Sequence, residues 1–302
     1  VIVESGNVDN EYRLWCARRD LKSPDRDRRA RALRLIDHLA NEETRQCWVP
    51  GLGRSPGRAG IASNNPKSLA PSTSLLAWYW SERGITQSGG VVDQWDDLSG
   101  NSRHLTATST ARPAYEATGF VGRPSVLFNG TTNVLKNVSG AATAIFGGND
   151  QPFACYLVFE ALALSPYVGF VNCSSSTDGS TYMLLWSSAT NLTTLRQGGD
   201  AQTLVTGSAL SANTKYVVRW FYSGTATTTQ VNSGSVSGPG AQNNVALVAD
   251  VFSLGGWVSN VGTQNYANMR ISNLFFYAVQ PTAAEDARIA AYLFNLYGIA
   301  NG

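Results

Sequence analysis

The side chains able to do covalent or metal chemistry are few and poorly spaced for it. Only two histidines occur, His38 in an arginine-rich stretch and His104 in a Ser/Thr-rich one, so a nucleophilic relay has few candidate bases. Cys16, Cys47, Cys155 and Cys173 lack metal-ligand spacing. They read as buried thiols, the default without a secretory signal, or as two bridges, Cys16–Cys47 and Cys155–Cys173. Cleaving a glycosidic bond takes two carboxylates about 5–9 Å apart across it. The acid pairs beyond residue 70, Asp96-Asp97 and Glu285-Asp286, are adjacent in sequence, and a helix start favours acids at the second for structural reasons alone. The sequence therefore predicts no catalytic residue, no metal site and no cofactor. Aromatic side chains are plentiful by contrast, with 8 Trp and 12 Tyr. Most belong in a core, but Trp186, Trp257 and Tyr266 lie beside polar or Gly-rich stretches. With Asn265, Gln264 and Ser187-Ser188 as hydrogen-bonding neighbours, they are the candidates for a surface on which a sugar ring stacks.

Positioning such a surface needs a scaffold, and the composition describes one in two parts. Residues 1–70 hold 13 Lys+Arg and 9 Asp+Glu, whereas the rest of the 302-residue chain holds only 10 and 12. Over the whole chain 15% of residues are charged, against about 25% in ordinary globular proteins. A net charge of +2 gives little support to nucleic-acid binding. No apolar run approaches the roughly 18 residues of a membrane span, and Val1-Ile2-Val3-Glu4-Ser5 meets an acid too soon for a signal peptide.

Residues 1–49 read as a charged helical segment. Ser23-Pro24-Asp25 starts a helix, with a capping serine, a proline at the first helical position and an acid at the positive dipole end. Leu33, Ile36, Leu39 and Ala40 then recur at spacings of three and four, forming one apolar stripe. Arg26, Arg28, Arg29, Arg31 and Arg34 form a solvated face or a contact with an acidic partner; no aromatic residue interleaves with them as nucleic-acid binding would favour. One stripe makes a poor independent core, so Leu33, Ile36, Leu39 and Trp48 are expected to mediate assembly by burial against a partner. Residues 50–74, dense in Gly and Pro, read as a linker.

From residue 75 the pattern changes to short apolar runs between turn residues: 153–159, 181–186 and 215–222. In the last run Tyr216, Val218, Trp220 and Tyr222 share one face, while Val217, Arg219 and Phe221 share the other. A closing helix is marked by the capping box Thr282-Ala283-Ala284-Glu285, the stripe Ile289, Leu293 and Leu296, and the stop at Gly298. The expected fold is mainly β, a two-sheet sandwich over residues 75–302 with a C-terminal helix.

Several of these residues resemble a known family. Leu76-Ala77-Trp78-Tyr79-Trp80, Val91-Val92-Asp93-Gln94-Trp95-Asp96-Asp97-Leu98-Ser99-Gly100-Asn101, Arg112-Pro113-Ala114-Tyr115 and Pro124-Ser125-Val126-Leu127-Phe128-Asn129-Gly130 look like the opening of a laminin-G-like, concanavalin A-like jelly roll. The segment Met269 to Tyr277 and the helix running to Gly298 look like its ending. The resemblance implies glycan or protein binding, a structural module, or hydrolysis in some relatives. The glucan hydrolases of the family carry Glu-x-Asp-x-Glu on one strand, and no such triplet occurs in this chain. Calcium-binding members place acids near the Phe-Asx-Gly turn and in the closing strand, where this chain has Asn129, Thr132, Asn133 and Ser272-Asn273.

A module of this class without an export signal, joined to a charged docking arm, predicts a non-enzymatic bacteriophage virion structural protein: a fibre, tail accessory or capsid decoration. Residues 1–70 would contact other virion proteins, in a homo-oligomer or larger assembly, and the sandwich would face a host-surface glycan. The alternative is an exported glycan-binding adhesin or cell-surface module, located outside the cell.

Overall fold

The computed structural model describes residues 65–147, 151–198, 201–241 and 247–300. The expected assembly residues Leu33, Ile36, Leu39 and Trp48, and the whole segment 1–49, lie outside the described residues. The strands run β1 (Leu75–Trp80), β2 (Ile85–Ser88), β3 (Val91–Trp95), β4 (Leu105–Thr106), β5 (Ala114–Phe120), β6 (Arg123–Asn129) and β7 (Leu135–Asn137). They continue as β8 (Phe153–Ala161), β9 (Val168–Ser174), β10 (Tyr182–Ser188), β11 (Asn191–Gly198), β12 (Ala201–Ala209), β13 (Thr214–Tyr222), β14 (Ala226–Val231) and β15 (Ser237–Ala241). The last are β16 (Val251–Leu254), β17 (Trp257–Ser259), β18 (Gly262–Gln264) and β19 (Asn268–Tyr277). The helices are α1 (Pro66–Leu69), α2 (Ala141–Phe146) and α3 (Ala283–Tyr297).

Among the described residues all strand pairings are antiparallel. In one layer, β19 pairs with β1, β6 and β8, and β8 continues to β13, β14 and β15. In the other, β4, β7, β16, β9, β10, β11 and β12 follow one another. The two-sheet expectation needs one amendment. Hydrogen bonding is continuous between the layers, because β3 pairs with β4 at Trp95–Leu105 and with β5 at Val91–Ala114. The result is one large antiparallel sheet of seventeen strands, sandwich-like and nearly closed, with β17–β18 as a separate hairpin. Closure removes most exposed strand edges.

The core lies between the layers. Phe252 of β16 meets Phe276 of β19 at 5.7 Å between ring centroids, and Phe159 of β8 meets Phe170 of β9 at 5.0 Å. The alternation in β13 appears as the sequence implies: Tyr216, Val218, Trp220 and Tyr222 face this core, while Val217 and Phe221 face α3. Cys155 and Cys173 are both buried as free thiols on strands of different layers, so the Cys155–Cys173 bridge does not form. Burial pushes both thiols well above their ordinary pKa.

Helix α3 covers the back of the first layer through Ile289, Ala290, Leu293, Phe294 and Tyr297, and ends at Gly298 in a left-handed conformation. Residues 66–74, the end of the expected linker, also belong to this packing. Tyr277 Oη donates to the Pro66 carbonyl at 2.5 Å, Ala70 is buried, and the Ser72 N–H donates to Glu285 Oε1 at 2.9 Å. Glu285 closes the capping box and accepts from Thr282 Oγ1 at 2.8 Å. The Ser72 hydroxyl and N–H, then the Thr282 hydroxyl, hold the Glu285 carboxyl down to about 2 from an ordinary 4.5.

The sign of the pH effect follows from that depression. Because the folded pKa lies below the unfolded one, the stabilisation is complete above about pH 4.5 and is lost as pH falls through about 2. Glu285→Gln should therefore melt below the wild type at neutral pH, with the gap closing between pH 4.5 and 2. Melting curves across that range check it; a gap independent of pH would mean that the carboxylate's charge contributes nothing.

Candidate functional site

The layer that α3 leaves uncovered presents an ordered line of side chains. Gln94, Thr106, Lys136, Ser253, Asn172, Leu184, Leu195 and Leu204 are successive register partners from β3 across to β12. Their chain neighbours Trp95, Leu105, Leu135, Phe252, Val171 and Leu185 belong to the core, so the line faces outward by the two-residue strand period. It is polar at one end and apolar at the other.

The hairpin β17–β18 folds over the middle of this line. Asn172 Nδ2 donates to the Gly256 carbonyl at 3.0 Å, Ser253 Oγ donates to the same carbonyl at 2.7 Å, and Ser174 Oγ donates to the Val258 carbonyl. These bonds explain why Asn172, Ser174 and Ser253 are buried on an outward face. The hairpin leaves β16 through Gly255, whose φ is +81° and where a Cβ would come within 2.1 Å of the Phe128 ring. Only glycine fits that departure.

On the apolar side Tyr182, Leu184, Trp186 and Leu195 form one cluster, against which Trp257 packs. Trp257 meets Tyr182 edge-on at 5.0 Å, and the Tyr182 hydroxyl accepts from Gln202 Nε2 at 2.8 Å. Trp186 is only 8% exposed. What lies over it is Tyr167, with ring centroids 5.1 Å apart, and Tyr167 is itself 57% exposed. Its backbone is left-handed, with φ +67°, and its N–H donates to the Ser187 carbonyl at 2.7 Å. A bulky side chain in that region costs roughly 1–3 kcal/mol, a strain that concentrates at ligand-binding positions. Asn265, also left-handed at φ +55°, accepts from the Gly169 N–H at 2.9 Å, opposite Trp186 in the register.

The fold thus gathers three of the four expected sugar-binding residues, Trp186, Trp257 and Asn265, on this side of the hairpin. It turns the fourth away: Tyr266 packs with Val134, Val251 and Val258 on the polar side. There it lines a concavity of about 170 Å³ with Thr106, Thr132, Lys136 and Thr263, and a second of about 220 Å³ adjoins it at Thr106 and Lys136. Tyr167 is the residue that sequence reading misses. Ser165-Pro166-Tyr167 has the composition of an ordinary loop, and only its strained backbone and its seat on Trp186 distinguish it.

Other polar groups serve the scaffold. Asn129 Oδ1 accepts the N–H groups of Thr131, Thr132 and Asn133 at 3.0 to 3.2 Å, and Asn133 Oδ1 accepts that of Asn129, so these amides build the turn. Asp97 accepts from the N–H groups of Trp78, Ser99 and Arg103. A carboxylate pair distant in sequence does come together on the α3 side. Arg270 holds Glu116 through Nε at 2.6 Å and Glu160 through Nη1 at 3.1 Å, and Lys215 reaches Glu160 at 3.2 Å. This network ties β5, β8, β13 and β19.

No protein-family model and no curated protein matches the chain. Solved structures do share its fold. Domain 4 of AbnA, an extracellular family GH43 arabinanase from Geobacillus stearothermophilus, solved with arabinotriose, aligns with a TM-score of 0.52 at 15% identity over 73% of this chain and 98% of that one. A GH54 α-L-arabinofuranosidase aligns with a TM-score of 0.56 at 13% identity over 77% of this chain and 65% of its own. A Trypanosoma rangeli sialidase aligns with a TM-score of 0.50 at 12% identity over 86% and 39%. The chain therefore spans about two thirds or less of the two longer proteins. Of the family resemblance, these alignments support the sandwich-like fold.

They overturn the expectation of a non-enzymatic bacteriophage virion protein. The fold recurs in proteins that act on carbohydrates, which suits the extracellular glycan-binding alternative better. The virion reading rested on the charged segment before residue 70, and no residue of the sandwich carried it.

Proposed function

We propose that residues 65–302 are a carbohydrate-recognition domain of a carbohydrate-active protein, working outside the cell on neutral glycan chains. The observation that carries this is Tyr167: an exposed ring, held in a strained backbone conformation and backed by Trp186. Leu204 extends the same face, being 50% exposed. Tyr167, Tyr182, Trp186, Leu195, Leu204, Trp257 and Asn265 include no charged group, which suits an uncharged ligand whose apolar ring face lies on an aromatic one. Asn265 and the nearby Ser188, both partly exposed, supply polar groups for hydroxyls at the margin. Likeness to a domain solved with arabinotriose supports this reading and makes arabinan oligosaccharides the first probe.

The test is affinity electrophoresis and calorimetry of the full chain on arabinan, arabinoxylan and other neutral polysaccharides. The expected result is retardation by at least one. An aromatic anchor is worth about 2 kcal/mol, so Tyr167→Ala should raise Kd roughly 30-fold. Its melting temperature should fall only slightly, because the ring is largely exposed and contributes to burial mainly through its cover of Trp186. If no neutral glycan retards the chain, or if Tyr167→Ala binds like the wild type, the reading is wrong.

A further inference from the structure

The polar half of the same face has a different chemistry. Its two adjoining concavities share Thr106 and Lys136, which are register partners on β4 and β7. Their lining is otherwise hydroxyls, amides, a few small apolar side chains, the ring of Tyr266 and the imidazole of His104, and no carboxylate lines either one. Lys136 is exposed, and among the described residues no acid pairs with its ammonium. Acids nearby are already engaged. Asp96 accepts from Gln94 Nε2 at 2.6 Å, and Asp93 pairs with Arg112 at 2.8 Å. His104 Nδ1 accepts the Asp97 N–H at 3.1 Å.

A groove that offers one unpaired cation, several hydroxyl donors and one aromatic ring, with every neighbouring carboxylate otherwise occupied, is matched to a saccharide unit bearing one negative charge. Each concavity is smaller than the roughly 300–1,000 Å³ of a drug-sized pocket, which suits one sugar unit of a chain lying along the groove. We propose that this groove binds an anionic saccharide unit, with the ligand's carboxylate or sulfate on Lys136 and its ring beside Tyr266. The proposal rests on the glycan-binding reading of this face, but on residues separated by the hairpin from the Tyr167 platform.

The experiment is calorimetry on the full chain with four probes: trigalacturonate, its carboxyl-reduced counterpart, a monosulfated galactose disaccharide and its unsulfated form. The expected result is that at least one anionic probe binds about tenfold more tightly than its neutral partner, the value of one charge-assisted contact. The probe that does so identifies the anion as carboxylate or sulfate. Lys136→Gln should remove the preference, Lys136→Arg should keep it, and Tyr167→Ala should leave it intact. The proposal is overturned if neither anionic probe is preferred, if Lys136→Gln retains the preference, or if Tyr167→Ala abolishes it. Failure of the Tyr167 platform would appear separately, as unchanged neutral-glycan binding in Tyr167→Ala.

Discussion

Phe146→Ala is expected to lower the unfolding free energy by about 3–5 kcal/mol, the usual cost of truncating a buried aromatic residue. Phe146 is 1% exposed and meets four rings: Phe153 at 5.0 Å, Phe276 at 5.6 Å, Phe252 at 5.9 Å and Trp220 at 6.1 Å. Those rings come from β8, β19, β16 and β13, so one side chain joins both layers. The helix that carries it has little support of its own. It is six residues long, and its N-cap Gly140 makes no side-chain capping bond. Packing must therefore hold α2 in place, and losing the ring should release the helix as well as open a cavity. Urea unfolding would show a lower midpoint at unchanged m. Phe146→Leu, which keeps most of the volume, should lose far less. A loss under about 1 kcal/mol for the alanine variant would mean that the layers close without this link.

Asp286→Ala is expected to cost about 3 kcal/mol, near the lower end of the range for breaking a buried pair, since the carboxylate retains 20% exposure. Asp286 accepts from Arg219 Nη1 at 3.0 Å and from Tyr156 Oη at 2.8 Å. Burial, and then the Asp286 charge, push the Tyr156 phenol far above its ordinary range, so it remains a donor. Arg219 projects from β13 beneath α3, where only its Nη2 contact to the Asn232 carbonyl at 2.9 Å would still hold it among these bonds. The penalty thus comes mainly from a stranded cation. Pairing Asp286→Ala with Arg219→Leu should recover much of the loss, and a double-mutant cycle measures how much. If the double variant is as unstable as the sum of the singles, the two residues act independently.

Where a feature depends on a short stretch of chain, it was legible in the sequence. Tyr216 to Tyr222 carries its two faces in its own alternation, and Thr282 with Glu285 states the start of α3 within four residues. Features that depend on register were not. Leu184, Leu195 and Leu204 become neighbours only because β10, β11 and β12 pair in one alignment, and nothing local places Lys136 opposite Ser253. Trp257 and Tyr266 look like one aromatic group nine residues apart, yet the hairpin sends them to opposite sides. Helix α2 is not legible locally because its hold comes from outside it: Asn137 Oδ1, on β7, accepts the Ala141 N–H at 3.1 Å, and Phe146 packs among rings of four strands. Glu116 and Glu160 escaped notice for the same reason as the leucines: Arg270, far along the chain, brings them together.

The docking of α1 beside α3 has a mechanical consequence. Asn65 enters on the helix-covered back of the molecule, while Tyr167 and Lys136 lie on the opposite layer. A pull transmitted through Asn65 against a ligand gripped by the far face would pass first to Pro66 and its bond from Tyr277, then into β19 in the centre of its layer. The short turn of α1 would yield before any strand does, because two hydrogen bonds, from Tyr277 Oη to the Pro66 carbonyl and from Arg288 Nη2 to the Leu69 carbonyl, and a small buried surface resist there while whole ladders resist behind it. The turn would then act as a sacrificial first link, giving up a short length of chain under load while the strand ladders behind it stay folded.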